Sequence, residues 1–269
     1  MAPAVPDFAA RLSITHIGTA AAILHLDGVN ILTDPVFSLA GKEWEFGIVV
    51  LKTTKPAALG LADLPPIDAV LLSHEDHPDN LDEAGRQILD GRHVLTTPDG
   101  AAKLAPRPGV QALRPWETIS LTLGGRRFDV TGTPCVHLPG GEVTGFIITA
   151  EEFGRSAADG LPNAIFFSGD TVYLPELAQM KEKFHISVAL LNIGKVLVPG
   201  EEGPLQITMG GADAAKLFRE IGADVLVPMH YESWAHFTEN KEALAAELER
   251  EGVADRVAWL EPGVKRQIV

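Results

Sequence analysis

The stretch Val70–Asp82, VLLSHEDHPDNLD, decides how this chain is read: an aliphatic run gives way at once to two histidines and four acids. An apolar run without alternation is the pattern of a strand covered on both faces, and a polar cluster at its end is a loop held by that strand. Such a loop can carry chemistry. A helix can begin just beyond it and run to Leu89, with Asn80 or Asp82 as its cap.

On the N-terminal side, Leu12 to Asp34 reads as strand, strand, turn, strand, with Asp27-Gly28 as a hairpin signal. From Phe37 to Pro66 the pattern is irregular and predicts a long surface connection. Trp44 and Phe46 in it suit either packing or a pocket wall, and with Ile48 and Val49 they are the one local hint of an apolar channel. On the C-terminal side, RHVLTT predicts a strand and PDGAAKLA a helix opened by proline and acid. From Glu117 a second run of strands follows: TISLTL, a Gly124-Gly125 turn, RFDVTGTPCVH, GFIIT and AIFFSGD. Helices near Tyr173–Lys183, Met209–Ile221 and Lys241–Arg250 then alternate with the strands SVALLNIG and DVLVPMH. Both halves pass from consecutive strands to strand and helix alternation. That is the pattern of an α/β fold with two sheets packed together and helices outside, a four-layer α-β-β-α sandwich. No low-complexity tract or linker divides the 269 residues, so a single domain over 1–269 is expected.

The net charge of −14 argues against a nucleic-acid partner, since no Lys/Arg cluster reverses it locally. One cysteine, Cys135, excludes an intramolecular disulfide and points to a reducing compartment. The N-terminus lacks the basic start and apolar core of a signal peptide, and no apolar run reaches the ~18 residues of a membrane span. A soluble, cytoplasmic protein acting on a small molecule is expected, with a homo-oligomer left open.

Polar residues recur where apolar strands end: Asp34, the cluster His74, His77 and Asp79, then His137, Asp170 and His230. In layered α/β proteins ligands collect at strand ends, and imidazole with carboxylate is a ligand set for zinc, manganese or iron. In that order these residues resemble the metallo-β-lactamase superfamily over nearly the whole chain. Within it, IGTAAAILHLDGVNILTDPVF and FFSGDTVY look like the branch that holds ascorbate-phosphate lactonases and N-acylphosphatidylethanolamine phospholipase D.

The central motif departs from the family's His-x-His-x-Asp-His. With one residue inserted, His74, His77 and Asp79 match the first three ligands and Asn80 stands where the last histidine belongs. Alternatively His74-x-Asp76-His77 matches the end of the motif and Leu72 replaces its first histidine. The first alignment keeps three ligands and is preferred. The resemblance then implies one metal site from His74, His77 and His137, with Asp170 able to bridge. It implies a second from Asp79, Asp170 and His230, with a weak neutral ligand in Asn80. It also implies that Asp34 orients a ligand from behind.

His236 can sit in the pocket beside Trp234 and His230, replace the missing ligand, or pack under the last helix. Lys195 and Tyr231 can bind an anionic group or an oxyanion, or be a solvated lysine and a packed tyrosine. His16, His25, His93 and His185 belong to no constellation, and Cys135 reads as an inert thiol.

The function implied is a hydrolase with one or two Zn2+, or with Mn2+ or Fe2+. A metal-bound hydroxide would attack an ester, lactone or related bond, with Asp79, Asp170 and His230 as catalytic groups. Two alternatives stand beside it: a phosphodiesterase or phospholipase-like hydrolase, and a binding protein whose metal site has decayed, which Asn80 favours.

Overall fold

Alternate residues of the same strands face two different apolar layers, and that alternation builds the architecture. The structure, a computed structural model, describes residues 5, 7–46, 49–138 and 141–269, without the side chain of Phe46.

The first half opens with β1 (Leu12–Gly18), β2 (Ala21–Leu26) and β3 (Val29–Thr33), an antiparallel meander. Its second turn is the Asp27-Gly28 pair, both residues at positive φ (46° and 93°), the geometry that this dipeptide favours in a hairpin. A hairpin of β4 (Glu43–Phe46) and β5 (Val49–Lys52) projects next. Then β6 (Ala69–Leu71), α1 (Glu83–Ile88), β7 (His93–Thr96), α2 (Pro98–Leu104) and β8 (Val110–Ala112) alternate, and their strands pair in parallel. The second half repeats the plan. β9 (Thr118–Leu123), β10 (Arg126–Pro134), β11 (Thr144–Ala150) and β12 (Asn163–Phe167) are antiparallel. β13 (His185–Asn192) and β16 (Val225–Met229) then extend that sheet in parallel. Between them lie a hairpin of β14 (Leu197–Gly200) and β15 (Gly203–Gln206) and helix α3 (Gly211–Glu220). Helix α4 (Lys241–Arg250) and β17 (Lys265–Gln267), which pairs with β1, close the chain.

Among the described residues the two large sheets have seven and six strands, ordered β17-β1-β2-β3-β6-β7-β8 and β16-β13-β12-β11-β10-β9. Leu12, Leu24, Ile31 and Leu71 of the first meet Phe128, Phe146, Phe167 and Leu190 of the second in one inter-sheet core. The opposite face of the first sheet, with Ile23, Leu32 and Val70, packs on Leu81, Ile88 and Leu104 around α1 and α2. The opposite face of the second, with Phe166, Ala189 and Leu191, packs on Leu217 and Phe218 of α3 and Leu244 and Leu248 of α4. These are the four layers expected.

Three local expectations are refined. Asp82, not Asn80, caps α1, accepting from the Gly85 amide at 2.7 Å. The segment near 173–183 is a 3-10 helix over Pro175–Glu182. The irregular stretch from 37 to 66 contains the β4–β5 hairpin, whose strands the sequence conceals because their pattern is half-buried and exposed rather than buried. No helix among the described residues is long and apolar enough to cross a membrane.

Candidate metal centre

Five chain crossings deliver the polar side chains to one rim. Asp34 follows β3, the 74–80 loop follows β6, His137 lies just beyond β10, Asp170 follows β12, and His230 follows β16. Two of these residues leave their strands by a turn that side chains seldom adopt: Asp34 has φ 27° and His230 φ 57°. Backbone strain of this kind gathers at functional sites. Gly169 makes the same kind of turn before Asp170, with φ +57°, and a Cβ there would lie 2.7 Å from the Thr144 carbonyl oxygen.

Two buried clusters result, His74-His77-His137 and Asp79-Asp170-His230, each with its ligand atoms within 4.8 Å of one another. In the first, His77 Nδ1 lies 3.0 Å from His74 Nε2 and 3.3 Å from His137 Nε2. Hydrogen bonds behind the rings set two of the tautomers. His137 Nδ1 donates to the Ile207 carbonyl at 2.6 Å, which leaves the Nε2 lone pair facing the cluster. Ser73 Oγ donates to Asp34 Oδ2 at 2.7 Å, so His74 Nδ1, at 2.8 Å, donates to Ser73 and its Nε2 also faces inward. Burial, and then the neighbouring imidazoles His77 and His137, hold the His74 pKa well below the usual histidine range. Burial likewise lowers His137, against the opposing pull of Asp170. Neutral imidazole is the metal-binding form.

The second cluster is charged. Asp170 Oδ2 stands 3.3 Å from His230 Nε2 and 4.0 Å from His137 Nε2, between the two clusters, while its Oδ1 accepts from Asn192 at 2.7 Å. Asp79 Oδ2 lies 3.4 Å from His230 Nε2 and 3.1 Å from His236 Nε2. Burial opposes charge on both Asp79 and His230 and is outweighed. The carboxyl is held low by His230 and His236, and the imidazole is raised by Asp170 and Asp79. Asp79 Oδ1, both nitrogens of His230 and His236 Nδ1 are buried without a hydrogen-bond partner. An uncompensated buried polar group costs about 1–3 kcal/mol, and a cation between His230 Nε2 and the Asp79 and Asp170 carboxylates it faces would compensate that nitrogen.

Asp34 lies behind the His74 side of the candidate centre, hydrogen-bonded through Ser73. It accepts from the Ser73 amide and hydroxyl and from Asn80 Nδ2, at 2.7, 2.7 and 3.0 Å, and burial raises its pKa to about 7. The amide nitrogen of Asn80 therefore points at Asp34. His236 lines the cavity in front of the clusters, and Lys195 and Tyr231 do not. Lys195 Nζ pairs with Glu239 at 3.4 Å, and Tyr231 packs edge-on against Trp259 in the outer core. Cys135 is pushed up by burial, its Sγ 3.4 Å from the Ser168 carbonyl oxygen, consistent with an inert thiol.

The cavity measures about 310 Å³ and contains His77, Asp79, His137, Asp170, His230 and His236. Its other walls are aliphatic: Val49, Val50 and Leu51 from one hairpin, and Val196, Leu197 and Val198 at the other. The second wall lies in the irregular segment 194–208, where, with 37–66, the sequence reading places specificity; the hairpin within it is what that reading does not show. Trp44 packs on Trp234 with ring centres 5.0 Å apart and is not part of the wall; Ile48 lies outside the described residues. A larger groove of about 740 Å³ elsewhere holds no such donor cluster, and its Arg127 is satisfied by Asp129 at 3.0 Å.

Residues 29–231 match the family model described as the beta-lactamase superfamily domain. A metal-dependent hydrolase of Methanopyrus kandleri is 27% identical, with 94% of this chain and 98% of that one covered. An isothiocyanate hydrolase from Delia radicum gut bacteria superposes with a TM-score of 0.75 at 20% identity, covering 94% and 98% of the two chains. A metallo hydrolase from Ignicoccus hospitalis gives 0.71 at 22% identity, covering 96% and 98%. At these identities the structural likeness establishes the fold.

Proposed function

The chain belongs to the beta-lactamase superfamily and is a metal-dependent hydrolase, and from that premise we propose that it cleaves an ester, lactone or related bond in an uncharged, apolar small molecule. The observation that carries the substrate reading is the cavity wall: aliphatic on two sides, with no Lys or Arg among the described residues that line it. Lys52 and Lys195, each next in sequence to a wall residue, are engaged by Glu43 and Glu239 instead. A site for an anionic substrate ordinarily supplies a guanidinium or ammonium beside the reacting centre.

His74, His77 and His137 would hold one metal, and Asp79, Asp170 and His230 a second, with Asp170 placed to serve both. A divalent metal held there would supply Lewis acidity, enough to lower the pKa of water to about 7. The protein's own groups do the rest. Asp79 Oδ1, free of any hydrogen-bond partner, is placed to hold the proton released as water attacks. Asn192 fixes Asp170, and the Ser73–Asp34 pair fixes His74. The aliphatic walls exclude bulk water and hold the apolar part of the substrate. Six donors in two converging clusters favour a working centre over a decayed one.

A lipid-type phosphodiester is the second reading, because the same walls suit an alkyl chain. One panel separates the two: neutral aryl esters of increasing acyl length, lactones, and bis(p-nitrophenyl) phosphate, each with metal-loaded protein. Ester or lactone turnover that rises with acyl length is expected. Faster hydrolysis of the phosphodiester would replace this substrate reading with the second.

A further inference from the structure

The second cluster has only three protein donors of its own, and the position where the family's motif supplies a fourth holds Asn80. We infer that His236 is the fourth protein ligand of the second metal, in the place that falls to Asn80 in the motif. The inference rests on the metal-centre reading above and goes beyond it, since it assigns a ligand from a loop that the motif does not include.

Three observations carry it. First, His236 Nε2 lies 3.1 Å from Asp79 Oδ2, nearer than His230 Nε2 at 3.4 Å, so one carboxylate oxygen meets both imidazoles. Separations of about 3 to 3.5 Å between donor atoms are those of neighbouring ligands on one ion with bonds near 2.1 Å. Second, the side chain of Asn80 is tied to Asp34: its Nδ2 donates to Asp34 Oδ2 at 3.0 Å, which leaves the neutral amide oxygen, buried and unpartnered, as the one atom of Asn80 able to face an ion, a weaker donor than imidazole. Third, the loop bearing His236 is held in place. Ala235 N donates to the Lys52 carbonyl at 2.9 Å, Trp234 Nε1 donates to Thr19 Oγ1 at 3.0 Å, and Phe237 meets His230 edge to face with ring centres 4.6 Å apart. A ring held that firmly at the cavity surface, with its Nε2 on the Asp79 carboxylate, is preorganised for a ligand role.

The competing role is a hydrogen-bond donor that merely steadies Asp79. The two differ in magnitude. Removing an outer partner of a ligand typically weakens metal binding by about 10- to 100-fold, whereas removing a ligand deletes the site at free-metal levels that fill the intact protein. The experiment is equilibrium dialysis against buffered free zinc, followed by elemental mass spectrometry, on wild type, His236→Ala, His236→Gln and Asn80→His. Circular dichroism checks that each variant is folded.

Wild type is expected to hold two zinc ions per chain. Both His236 variants should hold one, with the affinity for the second lowered more than about 100-fold, and Asn80→His should show no gain. Cobalt in place of zinc should lose the d-d absorption of the second equivalent alone in the His236 variants. Three results overturn the inference while leaving the metal reading intact: two ions retained in His236→Ala within that 100-fold window, a single ion in wild type, or a count that rises from one to two in Asn80→His. No zinc in wild type overturns the metal reading itself, and the inference with it.

Discussion

Asp34 shows how much one buried carboxylate can organise without touching a metal. It is fully buried, yet it accepts three hydrogen bonds, from two groups of Ser73 and from Asn80, and through Ser73 it fixes the tautomer of His74. Asp34→Ala would strand the Ser73 amide and the Asn80 amide nitrogen in the interior. It should lower the stability of the protein by about 1–3 kcal/mol for each donor left unsatisfied, and weaken metal binding by about 10- to 100-fold. Urea denaturation and competition with a chelator measure the two effects. Unchanged metal affinity would show that His74 needs no such orientation. At this scale much was legible in the sequence, because histidines and aspartates at strand ends announce themselves. Less legible were the direction of an amide and the reach of a loop histidine. Asn80 and His236 are 156 positions apart, and only the folded chain decides which of them faces Asp79.

Strand ends and turns are the elements that place the ligands, and they are sensitive for the same reason. Gly169 joins β12 to Asp170 at φ +57°, with the Thr144 carbonyl and the Ser73 side chain closing the space that a Cβ would need. Gly169→Ala is therefore expected to lower stability by at least about 1 kcal/mol and to displace Asp170. A denaturation midpoint within error of wild type would argue that the turn is relaxed. Away from the site, His185 opens β13 between Asp159 and Asp224, each 2.8 Å from one of its ring nitrogens. Partial burial opposes its charge, but the two carboxylates outweigh it and raise its pKa. A raised folded value stabilises the protein fully below the unfolded value of about 6.5, and the contribution is lost as pH climbs through the folded value. His185→Gln should consequently cost more stability at about pH 5.5 than at about pH 8.5; an equal loss at both would mean the histidine is neutral in the fold. The strands read most easily were those buried on both faces, such as β12 and β13. The segments that wall the cavity were legible as irregular connections, but not as hairpins, because their strands are short and largely solvent-facing, so no apolar period marks them.

Across the whole molecule, the same plan occurs twice: antiparallel strands first, then parallel strands with helices, and the two sheets meet face to face. That arrangement brings ligands from positions 74 to 230 to one rim, so the order of motifs along the chain could be read as a layered fold before any contact was known. What the order could not convey was the cavity's chemistry, because its aliphatic walls come from segments far apart in sequence. The central claim is that the two buried clusters are a metal centre, and the direct measurement is the metal content of protein purified without added metal, wild type beside His74→Ala. Elemental mass spectrometry should find metal in the wild type. The His74→Ala protein should have lost metal and hydrolytic activity together, with its circular dichroism unchanged. Full metal occupancy in a folded His74→Ala protein would contradict the assignment.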